Sequence, residues 1–212
     1  MNLKKIILYR EPAISEINID ALVVFLQENF PIKVEIKDNV FKEFSLENIK
    51  KLSNIRITDI KSSFSEHKSS DGEIEFERKL CEDSSLMDST TKVENAQQIS
   101  DVFMYDGFEL QKILRYLSED SEILHIILTN RLTCTFDEND NRYHGRAVIC
   151  ANPSIISTTG IVEAPAKPKE YYFEVMKLKT QGLDIKSAKE KYKDKFLEYN
   201  DKRLTKILEG YI

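Results

Sequence analysis

Asp137, Asp140 and His144, in one polar run, are the side chains best suited to do chemistry. His144 can titrate near neutral pH or bind a metal through one ring nitrogen, with Asp137, Asp140 or a cysteine completing the shell. Such a group would take a divalent metal such as zinc. Asp137, Asn139 and Asn141 also match the first three ligand positions of a calcium loop. That match fails where geometry is strictest, because the required glycine is Arg142 and the bidentate glutamate position is Val148. An exposed hairpin turn accounts for the same residues. No His-Glu-x-x-His occurs in the chain, and no two histidines lie four residues apart, so spacing gives no support for a helical zinc motif.

A second constellation is cationic. Arg131, Arg142 and Arg146, with Ser154, Ser157, Thr158 and Thr159, can together bind a carboxylate or phosphate. The plainer reading pairs these arginines with Asp137, Glu138 and Asp140 nearby. Glu163 follows an apolar run and is a candidate buried general base, although such a residue more often caps a strand end or meets an arginine. The string SIISTTG is neither a nucleophile elbow nor a phosphate loop, which leaves serine hydrolase and nucleotide chemistry without support. His125 lies inside an apolar strand and reads as a hydrogen-bonded core residue, while His67 falls in a polar stretch.

The elements that must position these groups follow from periodicity. Leu3 to Tyr9 reads as a buried strand, Asn18 caps a helix with Leu22, Val23 and Leu26 on one side, and Ile32, Val34 and Ile36 alternate with charge. Strand, helix, strand implies a right-handed parallel unit. Ser45 can cap a short helix, and Ile55, Ile57 and Ile60 suggest a brief strand. From about 61 to 101 the chain is rich in Ser and charge, and only Ile74 and Phe76 alternate, so it reads as a polar insertion, partly a hairpin and partly disordered. Asp106 and Glu109 then open a helix carrying Leu110, Ile113, Leu114 and Leu117. Ile123 to Leu128 is apolar on both faces and therefore central to a sheet. The runs RLTCTF and RAVIC flank the polar run.

After Pro168 the sequence is helical, with a stop at Gly182, a helix from Asp184 through Tyr199, and a last one from Asp201 that presents Leu204, Ile207, Leu208 and Tyr211. That last helix runs to Ile212, from which we expect either that the natural fold continues or that the helix docks on a second copy or another protein. The expected fold is α/β, with a mixed, mostly parallel sheet flanked by helices in residues 1–167 and C-terminal helices, 168–212, packed on it.

Composition bounds the rest. The 212 residues carry a net charge of −5, which argues against nucleic acid as the main partner. No segment approaches the roughly 18 apolar residues needed to cross a bilayer, and MNLKKIILYREP is too short in apolar residues for a secretory signal. Three cysteines without CxxC spacing fit reduced thiols, so a cytoplasmic location with no membrane partner is expected.

The strings YREPAI, YDGFELQ, LTNRLTCTFDENDNRYHGRAV and PSIISTTGIVEAPAKPKEYY resemble an uncharacterised archaeal family that carries a metallopeptidase label, itself distantly similar to archaemetzincins. The resemblance spans most of the chain outside the polar insertion. It implies a metzincin-like N-terminal sheet to which residues 122–168 supply inner and edge strands, and a zinc-dependent peptidase activity. Archaemetzincins hold zinc through His-Glu-x-x-His and a third histidine, and a second zinc through cysteines. This chain departs from that pattern, since the helix after Pro168 bears Glu170 and Glu174 where histidines would be needed.

Overall fold

In a computed structural model, which describes residues 3–11, 16–83, 103–199 and 201–212, the chain opens with β1 (Lys5–Arg10). Its apolar residues face both ways, Ile6 and Leu8 to one side and Ile7 and Tyr9 to the other. Asn18 caps α1 (Ile19–Asn29) by accepting the Ala21 N–H, and Leu22 and Leu26, one turn apart, bury its inner face. The chain returns as β2 (Lys33–Lys37), parallel to β1, completing the expected βαβ unit. Ser45 caps α2 (Leu46–Asn54).

After α3 (Asp71–Glu82) come β3 (Met104–Asp106), α4 (Gly107–Leu114) and β4 (Ile123–Thr129). The hairpin β5 (Leu132–Asp137) and β6 (Arg142–Arg146) leads to β7 (Val148–Ile149), β8 (Ser154–Ser157) and α5 (Thr158–Glu163). The chain closes with α6 (Lys169–Thr180), α7 (Lys186–Tyr192) and α8 (Leu204–Glu209). One sheet has the order β2-β1-β4-β8-β7 and is parallel except for β7, and a second has the order β3-β5-β6. The fold is therefore α/β with mixed sheets, as the sequence pattern implied.

β4 is central because both its faces are apolar. Ile126 and Leu128 pack with Leu22, Leu26, Leu204 and Leu208, whereas Ile127 packs with Leu52, Leu80, Leu110 and Leu114. The large sheet thus lies between α1, α5 and α8 on one side and α2, α3 and α4 on the other. Burying each such aliphatic side chain contributes about 1.5–3 kcal/mol, so these two layers hold the fold.

Three local expectations need correction. Ile74 and Phe76 are not in a strand. Ser70 and Glu73 form a reciprocal capping box that starts α3, and its inward stripe of Ile74, Glu77, Leu80 and Cys81 follows helical spacing. The remainder of the polar stretch, 84–102, lies outside the described residues. Ile55, Ile57 and Ile60 make no strand beyond a single bridge between Arg56 and Tyr105. The helix expected from Asp184 to Tyr199 ends at Tyr192 in a short 3-10 turn, after which Phe196 is extended and packs on Tyr171. The apolar stripe of the last helix is used internally, with Leu204 and Leu208 buried on the α1 side and the Thr205 hydroxyl accepting the Asn18 N–H while donating to the Glu16 carbonyl.

Candidate functional site

The polar run is a tight hairpin. β6 begins at Arg142, so the loop is shorter than the sequence suggested and His144 stands on a strand. Asn139 donates both its backbone N–H (2.9 Å) and its side-chain amide (2.8 Å) to Asp137 Oδ1, and Asn141 adopts φ 51°. The spacing that imitates a calcium loop is thus the chemistry of a turn, in which Asp and Asn hydrogen-bond locally and Asn tolerates the left-handed conformation.

Period-two alternation then gathers the polar groups. Across the ladder Asp137 faces Arg142, Thr135 faces His144 and Thr133 faces Arg146, all on one side of the second sheet. The other side holds Leu132, Cys134, Phe136 and Tyr143. His144 Nε2 lies 2.8 Å from Asp140 Oδ2. Asp137, Asp140 and His144 each offer one ligand atom, and these atoms lie within 4.8 Å of one another. Among the described residues no other His, Cys, Asp or Glu group of three or more converges in this way. The hydrogen bonds from Asn139 hold the Asp137 carboxyl below the usual carboxylate range, with His144 and Arg146 adding to the effect.

The remaining candidates are dispersed. Arg146 Nε donates to Thr135 Oγ1 at 2.7 Å and Arg142 is exposed. Glu163 is exposed rather than buried, because it ends α5 at the surface, where Tyr199 donates its hydroxyl at 2.8 Å. Ala164, next in sequence, lies beside Gly145, which places the end of α5 next to the strand that carries His144. Ser157 caps α5 and donates to the Arg131 carbonyl, while the Thr158 and Thr159 hydroxyls bond the backbone of Thr129 and Asn130. These hydroxyls fasten β8 to the end of β4. His125 is the core residue expected, its Nδ1 3.1 Å from the Tyr9 hydroxyl.

Arg131 belongs to a different assembly. Fully buried after β4, it pairs with Glu11 at the end of β1 and with Glu77 on α3. Glu77 also receives Arg56 and the Tyr105 hydroxyl, and Glu11 receives the Thr129 hydroxyl and the Asn130 N–H. Arg131 stacks over Phe41, 4.1 Å from guanidinium carbon to ring centre. Burial opposes its charge, but Glu11 and Glu77 outweigh burial and raise its pKa. Sequence reading missed Glu11, Glu77, Arg56 and Tyr105. One signal was present: Glu77 occupies an apolar-stripe position between Ile74 and Leu80.

One comparison decides the family, since a single family model covers residues 2–212. The chain belongs to the Probable metallopeptidase family (DUF6775). No curated protein and no solved structure matches it. A metallopeptidase needs a metal, and the hairpin donors fit one in kind. One imidazole and two carboxylates make three protein ligands, the number that catalytic zinc sites use while keeping a position for water. The oxygen-rich set suits manganese or magnesium as well.

Proposed function

We propose that this member of the metallopeptidase family is a metal-dependent peptide hydrolase whose divalent cation is held by Asp137, Asp140 and His144. The convergence of these three donors on the β5–β6 hairpin carries the reading. A cation bound there would polarise a peptide carbonyl and acidify a coordinated water. Asp137 is held anionic by Asn139 and so is ready to ligate. Arg142 and Arg146, on the same strand face, supply positive charge for a peptide carboxylate. Glu163, oriented by Tyr199, is the candidate proton acceptor at the neighbouring end of α5. A cytoplasmic setting, where Cys81, Cys134 and Cys150 stay reduced, and the absence of a nucleic-acid partner go with this reading. Any kinship to archaemetzincins would be one of architecture, since their histidine motif is not in the chain.

The test is metal binding before activity. Metal-stripped protein should take up one zinc or manganese per chain and melt higher when titrated, and His144→Ala and Asp137→Asn/Asp140→Asn should lose both responses. Uptake that survives in those variants would sink the assignment. Peptide hydrolysis by the loaded protein is the second stage.

A non-catalytic interaction protein is the second reading. It is favoured by one observation: the carboxyl ends of β1 and β4, where open α/β sheets usually bind ligands, are sealed by the Glu11, Arg131 and Glu77 cluster. Metal uptake without hydrolysis of any peptide library would select it.

A further inference from the structure

α6 is held by one face only. Tyr171 is buried against Tyr192 and Phe196, with ring centres 6.0 and 5.1 Å away, so the helix is anchored on α7 and the turn that follows it. Its outer face is apolar and uncovered: Tyr172 is 52 % exposed, Phe173 68 % and Met176 59 %, with Leu183 at 55 % just beyond the helix. At 3.6 residues per turn, Lys169, Phe173, Met176 and Thr180 run down the middle of that face. Phe173 and Met176, one turn apart at the centre of this row between Lys169 and Thr180, form an exposed apolar pair on a charged surface, with Tyr172 beside them, the mark of an interaction site.

The charges beside this pair say what covers it. Glu170 and Lys177 are both exposed, lie two turns apart on the same flank and make no ion pair among the described residues, in contrast to Glu174, which meets Lys191 at 3.5 Å. When two such helices pack antiparallel, like flanks meet, and residue order is reversed in the second helix. With the twofold axis near Glu174, Phe173 falls opposite Met176 of the second copy, Lys169 opposite Thr180, and Glu170 opposite Lys177. All three matches occur in one register. In a parallel pairing unlike flanks meet, so Glu170 and Lys177 would not face each other and both would stay unmatched.

We infer that α6 is a dimerisation helix that binds α6 of a second copy of this chain in antiparallel, twofold-symmetric fashion. The occupant is a second copy rather than a lipid surface because the Glu170 and Lys177 flank is self-complementary: an anionic surface would attract the exposed Lys169, Lys177 and Lys179 but repel Glu170, which the antiparallel pair matches with a Lys177. One helix pair buries less than a standard interface, so the dimer is weak and concentration-dependent. The proposal is independent of the metal assignment, since α6 carries none of the proposed ligands.

Sedimentation velocity over a concentration series tests it, using the full chain. Wild type should show a monomer–dimer equilibrium. Phe173→Glu and Met176→Glu should be monomeric with unchanged circular dichroism and melting, since both side chains are exposed. Glu170→Lys should weaken the dimer by roughly tenfold, as attractive pairs become repulsive, and Glu170→Lys/Lys177→Glu should restore it. A wild type that stays monomeric throughout overturns the proposal, whether or not it binds anionic vesicles. So does a dimer that persists in Phe173→Glu, or a double exchange that fails to recover what Glu170→Lys loses.

Discussion

Arg131 and Glu77 meet at 3.0 Å, Nη2 to Oε1, with neither side chain reaching solvent. The contact ties the junction of β4 and β5 to α3, an element that carries no other charge into the interior apart from this carboxylate. Paired buried charges are weak evidence of net stabilisation, yet breaking one side is costly because the other is left stranded.

Arg131→Met should therefore destabilise the protein by about 3–5 kcal/mol, since Glu11 and Glu77 would stay buried without their shared guanidinium. Urea unfolding measures this. A loss under about 1 kcal/mol, the scale of an exposed pair, would mean that the cluster is open to water.

His125 sets a pH dependence. Burial, helped by Lys37 and Lys5, lowers its pKa from 6.5 in the folded chain. The unfolded chain thus binds a proton first as pH falls, so stability should be level above pH 6.5 and decline below it, until the lowered folded value is passed. His125→Phe should flatten that part of the stability curve relative to wild type. An unchanged slope would assign the dependence to other groups.

The three cysteines should differ in reactivity. Burial pushes the thiols of Cys81 and Cys134 up to about 12, whereas Cys150 is exposed. Because the thiolate is the reacting form, iodoacetamide at mildly alkaline pH should label Cys150 in the native protein, and the other two only after denaturation. Peptide mapping would show it, and native labelling of Cys81 would contradict the packing of α3.

Gly160 is required by a close approach of two elements. A Cβ there would lie 2.1 Å from the Arg146 carbonyl oxygen, a backbone atom that cannot step aside. Gly160→Ala should cost about 1–3 kcal/mol by forced separation of α5 from β6. Because β6 carries His144, cation affinity at the proposed hairpin site should fall with it. Full stability and affinity in this variant would show that the strand adapts freely.

Much of this was legible in local pattern. The βαβ opening, the central β4 with both faces apolar, and the caps at Asn18, Ser45 and Asp106 all follow from residues close together in sequence. α3 was misread because Ile74 and Phe76 alternate over too short a span to separate strand from helix, and the Ser-rich surroundings hid the Ser70 and Glu73 box. The Glu11, Glu77 and Arg131 cluster was illegible for a different reason. Its members are separated by up to 120 residues, and pairing across such distances leaves no local periodicity. At the candidate site the sequence placed Asp137, Asp140 and His144 in one polar run, but only the folded hairpin shows that their side chains converge while Arg131 turns inward.

That separation also bears on the order of folding. Closing a loop of this length costs entropy that only a nearly complete core can offset. The Arg131 contacts should therefore form after the transition state, so that their loss speeds unfolding and leaves the folding rate almost untouched. The charge cluster would then act as a latch on the native state, governing how long the molecule lasts once folded rather than how quickly it gets there.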